Sequence, residues 1–182
     1  MIGPALVLLL QVTPPLDPRE AGPFRSCLGL LDEAAIPQCR AVLESPLPAG
    51  RRAIALRILG QRLAAVERWD EATEAYRRWV ELEPEEPEAL RRYGEVLLVA
   101  GRAEQAIGAL RESVLWGAED ARAHGWLGVA LNAAGRHSEA VRSFEDALEV
   151  DPTFFAARPG ARSAFEASQR GERWPGPARE MP

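Results

Sequence analysis

Lysine is absent from this 182-residue chain: all 22 basic side chains are arginines, set against 27 acidic residues for a net charge of −5. The arginines are scattered and the balance is acidic, so neither a nucleic-acid partner nor a membrane-surface role is expected. Scattering of this kind reads as arginine-rich codon usage more simply than as a set of bidentate carboxylate- or phosphate-binding groups. Cysteine occurs only at positions 27 and 39. That spacing is not C-x-x-C and no further metal ligands lie nearby, which argues against zinc and against thiol redox catalysis. Histidine also occurs twice, as His124 and His137. No apolar run approaches the roughly 20 residues of a membrane-spanning helix, so no integral membrane span is expected. Phosphate-binding glycine loops, H-E-x-x-H, G-x-S-x-G and G-x-G-x-x-G motifs are all missing. Without a clustered nucleophile, base or metal-ligand set the chain reads as non-catalytic, with no cofactor and no metal. The acidic pairs Glu85-Glu86 and Glu119-Asp120 stand beside expected helix N-termini, where negative charge is stabilising.

What the sequence does contain is a period. Leu59-Gly60, Tyr93-Gly94 and Leu127-Gly128 are spaced by 34 residues, and three positions after each glycine stands Leu63, Leu97 or Leu131. Twelve positions after each glycine comes Ala72, Ala106 or Ala140, and sixteen after it Tyr76, Leu110 or Phe144. Pro84 and Pro152 close the first and third copies, while the middle copy has Ala118 there. The pattern suits two helices joined by a tight turn. The glycines on the first helix and the alanines on the second permit close backbone approach, and the large side chains fill the volume beside them. A helix-interior glycine costs about 1 kcal/mol relative to alanine, so three in register imply a packing need. Pro84 and Pro152 fix where the second helix stops.

These positions resemble the tetratricopeptide repeat, a 34-residue helix–turn–helix unit with the pattern W-x2-L-G-x2-Y…A-x3-F…P. The tryptophan position reads Leu56, Leu90 and His124, so packing accounts for His124; His137 falls in a turn and should be solvated. The resemblance implies an all-α right-handed solenoid of three repeats, over residues 53–86, 87–120 and 121–154. A degenerate hairpin over 24–52 precedes it and a capping helix over 155–170 follows, since end units of solenoids are commonly atypical.

The flanks are read from composition. Met1–Val12 (MIGPALVLLLQV) is either the apolar region of a signal peptide or a partly packed N-terminus; no basic residue precedes it and no clear A-x-A site follows. The compartment stays open accordingly, exported or periplasmic on the first reading and cytoplasmic on the second. Thr13–Pro23 should be an extended, proline-rich linker. In the degenerate hairpin Ala35, Cys39 and Val42 take the roles of Ala72, Tyr76 and Trp79, opposite a helix through Cys27, Leu28, Leu30 and Leu31. Cys27 and Cys39 then face each other, as a disulfide in an oxidising compartment or as two inert buried thiols. Helices are expected near Ala53–Val66, Asp70–Leu82, Pro87–Ala100, Ala103–Leu115, Ala121–Ala134 and Ser138–Val150. Their caps would be Asp70, Asp120 and Ser138, and their left-handed stops Gly101, Gly117 and Gly135. Phe154, Phe155, Ala164 and Phe165 should bury the end of the third pair, with a regular helix near Ala161–Gln169 after Pro159-Gly160. Residues 171–182 should be disordered, with Trp174 either free in solvent or a small anchor onto the solenoid. Trp69, Trp79 and Trp116 read as packing between units.

Helical geometry places a groove. At 100° per residue, positions 2, 5, 6, 9, 12 and 13 of each first helix lie opposite its buried face. They are Ile54, Arg57, Ile58, Gln61, Ala64 and Ala65, then Glu88, Arg91, Arg92, Glu95, Leu98 and Val99, then Arg122, Gly125, Trp126, Val129, Asn132 and Ala133. In the family this face is concave and holds extended peptides. Four arginines against two glutamates and the apolar strip Leu98, Val99, Trp126, Val129 point to a partner segment with apolar side chains and an acidic group. The alternative is a solvated face, or one filled by the chain's own N- or C-terminal segment. Some family members hold a chaperone's terminal carboxylate in a lysine/asparagine clamp; Arg57, Gln61 and Arg122 echo it, but Trp126 and Val129 stand where clamp groups are needed, so it does not carry over. The resemblance implies a non-catalytic adaptor or assembly scaffold. A structural subunit of an envelope or secretion complex, associating through its convex face or with itself, is the second reading.

Overall fold

Ten helices and no strand form among the described residues of the computed structural model, which are 18–29 and 33–175. The apolar Met1–Val12, with its two readings, lies outside them, as do Leu30, Leu31 and residues 176–182 of the expected disordered tail. In chain order the helices are α1 (Pro18–Gly29), α2 (Ala35–Leu43), α3 (Ala49–Ala65), α4 (Trp69–Leu82), α5 (Pro87–Val99), α6 (Ala103–Trp116), α7 (Ala121–Ala133), α8 (His137–Val150), α9 (Phe154–Ala157) and α10 (Pro159–Gln169). Pairs α3–α4, α5–α6 and α7–α8 stack in sequence, with each second helix packing on the next first helix. The α1–α2 hairpin covers one end and α10, seated on both α7 and α8, covers the other. The result is an all-α right-handed solenoid.

The 34-residue period has a direct physical cause. A Cβ added at Gly60 would lie 2.6 Å from Tyr76 Cε1, at Gly94 2.5 Å from Leu110 Cγ, and at Gly128 2.9 Å from the Phe144 ring. Each large side chain therefore occupies the space a glycine vacates on the partner helix. Ala72, Ala106 and Ala140 are fully buried beside them.

Turns recur at the same interval. After α3, α5 and α7 the backbone amides of Arg68, Arg102 and Arg136 donate to Leu63, Leu97 and Leu131 carbonyls at 2.8–2.9 Å. This six-to-one closure needs a left-handed residue, supplied by Gly101 (φ 77°) and Gly135 (φ 78°) but by Glu67 (φ 59°) in the first copy. The three arginines begin the second helices without side-chain caps. Instead they pair with acidic groups: Arg68 with Glu71 at 2.6 Å and Arg136 with Glu139 at 2.7 Å. Those hydrogen bonds hold both carboxyls below their usual range. Three residues beyond Arg102 stands Gln105, so Arg102 reaches back to Asp70 of the preceding copy at 2.9 Å.

Several expectations are corrected. Residues 13–17 of the expected linker lie outside the described residues; Pro18–Pro23 belongs to α1 and is not extended, with Pro18 at the first helical position, where a proline forfeits no hydrogen bond. Ala49 and Gly50 likewise join α3 behind Pro48. Asp70 and Ser138 do not cap; the helices begin one residue earlier, at Trp69 and His137. Asp120 does cap α7, accepting from the Arg122 amide at 2.9 Å. Gly117 is not left-handed (φ −138°), and its lack of a side chain matters for space: a Cβ would lie 2.8 Å from Pro87. Trp116 is 50% exposed and does not pack between units. His137 is half-buried against Asn132, so it is not solvated.

The end units are tied down differently. Cys27 and Cys39 form a disulfide (S–S 1.97 Å) between α1 and α2, both fully buried with Ala35, Ile36 and Val42. At the other end Phe144, Phe154, Phe155 and Phe165 make an aromatic cluster with neighbouring centroids 5.3–6.0 Å apart. No helix among the described residues is long and apolar enough to cross a membrane.

Candidate functional site

The groove positions divide sharply along the solenoid. On α3, Ile54 is 39% exposed, Gln61 is exposed, Arg57 and Ala64 are half-buried, and Ile58 is turned inward. Arg57 makes no hydrogen bond or ion pair among the described residues. Its guanidinium therefore still has its donors to offer.

On α5 the charges neutralise one another. Arg91 is only 2% exposed; it is paired to Glu95 and, at 2.9 Å, to Asp120 at the start of α7. Arg92 meets the other Glu95 oxygen at 3.1 Å and Glu88 at 3.7 Å. Burial works to lower the Arg92 pKa, but Glu95, Tyr76 and Glu88 outweigh it and leave the group raised. Asp120, which helical phase alone does not assign to this face, is thus a third carboxylate on it, beside Arg91 and Arg122. Arg122 is exposed and lies 3.5 Å from Asp120. Leu98 is buried and Val99 half-buried.

On α7 the face is covered by later parts of the chain. The Phe154 ring sits against Gly125, where a Cβ would lie 2.1 Å from it. Trp126 and Val129 are buried in the core they share with Leu97, Leu98 and Phe154, so the apolar strip is largely interior. Asn132 is 1% exposed. Its amide nitrogen donates to Ser168 Oγ (2.8 Å) and the Glu172 carbonyl (2.9 Å), with His137 Nδ1 at 3.3 Å, and its oxygen accepts from the Trp174 amide at 2.7 Å. Arg173 donates to the Ala133 carbonyl. The segment 171–175 is therefore docked and not disordered, and Trp174 is half-buried, as the anchor of its two readings. Phase arithmetic on a single helix cannot show such covering, because it depends on where α10 turns the chain. The available sign was an asparagine placed among apolar groove positions.

Models of the tetratricopeptide repeat match residues 63–128 and 109–162 of the chain. The chain belongs to the tetratricopeptide repeat family. Solved structures agree on the fold. MamA (residues 41 to the end) from Desulfovibrio magneticus RS-1 is 19% identical, with 84% of this chain and 89% of that one covered and a TM-score of 0.65. YrrB, described as a tetratricopeptide repeat protein with an unusual peptide-binding site, is 21% identical over 82% and 73% of the two chains, at 0.64. The first repeat domain of Spaghetti (RPAP3), solved with the HSP90 peptide SRMEEVD, is 22% identical over 63% and 91%, at 0.58. No curated protein matches the chain.

Within this tetratricopeptide repeat array the open part of the face is thus the α3 end, with Ile54, Arg57 and Gln61. On the opposite side of α3, between α2 and α4, lies a cleft of about 470 Å³ floored by Leu43, Leu59, Leu63 and Ala75 and rimmed by Arg40, Arg78, Glu71 and Glu74. His124 is buried at the family's aromatic position, its Nε2 3.0 Å from the Ala118 carbonyl and its Nδ1 3.7 Å from Asp146. Among the described residues no cluster of three or more histidine, cysteine or acidic groups could hold a metal. Tetratricopeptide repeat proteins are protein-interaction modules, and the family's scaffold is generally non-catalytic.

Proposed function

We propose that this chain is a non-catalytic adaptor or assembly scaffold that holds an extended partner segment against the open face of α3. The observation that carries the reading is Arg57: of the four groove arginines it alone has no ion-pair partner among the described residues, and it stands beside the exposed Ile54 and Gln61. An acidic group on the partner would satisfy Arg57, and apolar side chains would cover Ile54, Ala64 and Ala65. The peptide in the RPAP3 structure and the peptide-binding site ascribed to YrrB support a groove of this use.

A second reading, association through the convex side, draws on the apolar-floored cleft between α2 and α4. Affinity capture separates the two. Arg57→Glu/Gln61→Ala should reduce the captured partner by tenfold or more, equivalent to about 1.4 kcal/mol, with an unchanged circular dichroism spectrum. Arg78→Glu on the cleft rim should leave capture intact. The reverse pattern would favour the convex reading.

A further inference from the structure

The chain's own C-terminal segment touches the groove through main-chain groups. Asn132 reads a carbonyl with its amide nitrogen (Glu172, 2.9 Å) and an N–H with its amide oxygen (Trp174, 2.7 Å). Both contacts are indifferent to side-chain identity, so any extended segment would present the same pair. Arg173, between them, places its guanidinium on the Ala133 carbonyl at the end of α7, where unpaired carbonyls and the helix dipole favour a cation. Trp174 forms one wall of a cleft of about 590 Å³ whose other walls include Leu98, Ala103, Ala133 and Ala134. Leu98 and Ala133 are groove positions, so the indole lies in the groove and leaves space unfilled beside it.

We infer that Glu172–Trp174 is a tethered ligand of the third-repeat end of the groove, which an incoming extended segment bearing an aromatic side chain must displace. The inference rests on the groove reading above but concerns its other end. The Asn132 amide nitrogen also has Ser168 Oγ and His137 Nδ1, but its oxygen accepts from the Trp174 main chain, and a buried amide oxygen left unpaired is costly. The tail supplies that main chain at the high effective concentration of a tethered group, of order millimolar. A free segment gains Asn132 only by matching the tail and adding contacts in the unfilled cleft.

The test uses the full-length protein and a fluorescent peptide of the chain's residues 169–175, QRGERWP. Trp174→Pro removes both the amide hydrogen and the indole from the tail without touching α7. Peptide binding measured by anisotropy should be at least tenfold tighter to Trp174→Pro than to the wild type, and should be lost again in Trp174→Pro/Asn132→Ala. In the wild type the Trp174 amide should exchange with solvent more slowly than in the free peptide. Equal affinity for wild type and Trp174→Pro, absence of binding to both, or a Trp174 amide exchanging at the free-peptide rate would each overturn the inference. None of these outcomes bears on capture through Arg57 and Gln61, so the two proposals fail separately.

Discussion

Arg91→Ala should lower the unfolding free energy by about 3 kcal/mol, seen as a fall in melting temperature of roughly 6–12 °C. Removing one partner of a buried ion pair leaves the other charge desolvated without compensation, which typically costs 3–5 kcal/mol. The lower end applies here because Glu95 would keep Arg92 at 3.1 Å and Asp120 is partly exposed. Arg91 also joins two elements: Glu95 lies on its own helix, whereas Asp120 caps α7, so the guanidinium fastens the second repeat to the third. Were Arg91 instead a ligand for the partner, Arg91→Ala would leave the melt unchanged and abolish capture. Thermal denaturation of the variant therefore decides between a structural and a binding role, and a shift below about 1 °C would contradict the structural one.

Phe144→Ala should cost about 3–5 kcal/mol, the usual penalty for deleting a fully buried aromatic ring. Phe144 is at 0% exposure, against Gly128 and in contact range of Phe155 and Phe165. Solenoid units interact mainly with their neighbours, so faster hydrogen exchange should concentrate in α7, α8 and α10 while α3 and α4 are spared. A double-mutant cycle isolates the contact. Gly128→Ala alone drives a methyl to 2.9 Å from the Phe144 ring and should cost about 1–3 kcal/mol. In the Phe144→Ala background the same change should become neutral, or stabilising by up to about 1 kcal/mol, since alanine is the better helix former. Additive effects would mean that the glycine is not there to receive the ring.

The fold was legible because its cause repeats. Gly60, Gly94 and Gly128 recur with Tyr76, Leu110 and Phe144 at one interval, and each pair proves to be a contact between facing helices. Helix starts were less legible where competing signals stood close together: Asp70 resembles a cap, yet Trp69 already lies in α4 and Asp70 serves Arg102 of the next copy. At the second and third repeats the groove departs from expectation for a different reason. Helical phase says which side chains leave the core of their own hairpin, but not what later chain covers them. Arg91 points along the groove face and is consumed by Asp120, a residue 29 positions away in the sequence. Trp126 and Asn132 point there too and are covered by Phe154, α10 and Trp174, whose approach depends on the break at Arg158 between α9 and α10. On α3 no such pairing interferes at Arg57 and Gln61, and there helical phase and the structure place the same side chains outward.

Contact mapping tests the functional claim most directly. A photo-cross-linking residue placed at Gln61, on the exposed face of α3, and separately at Arg78, on the rim of the cleft behind it, reports which surface meets the partner. Covalent adducts from Gln61 and few or none from Arg78 are the expected result. Adducts from Arg78 alone would place the partner on the convex side and contradict the groove account.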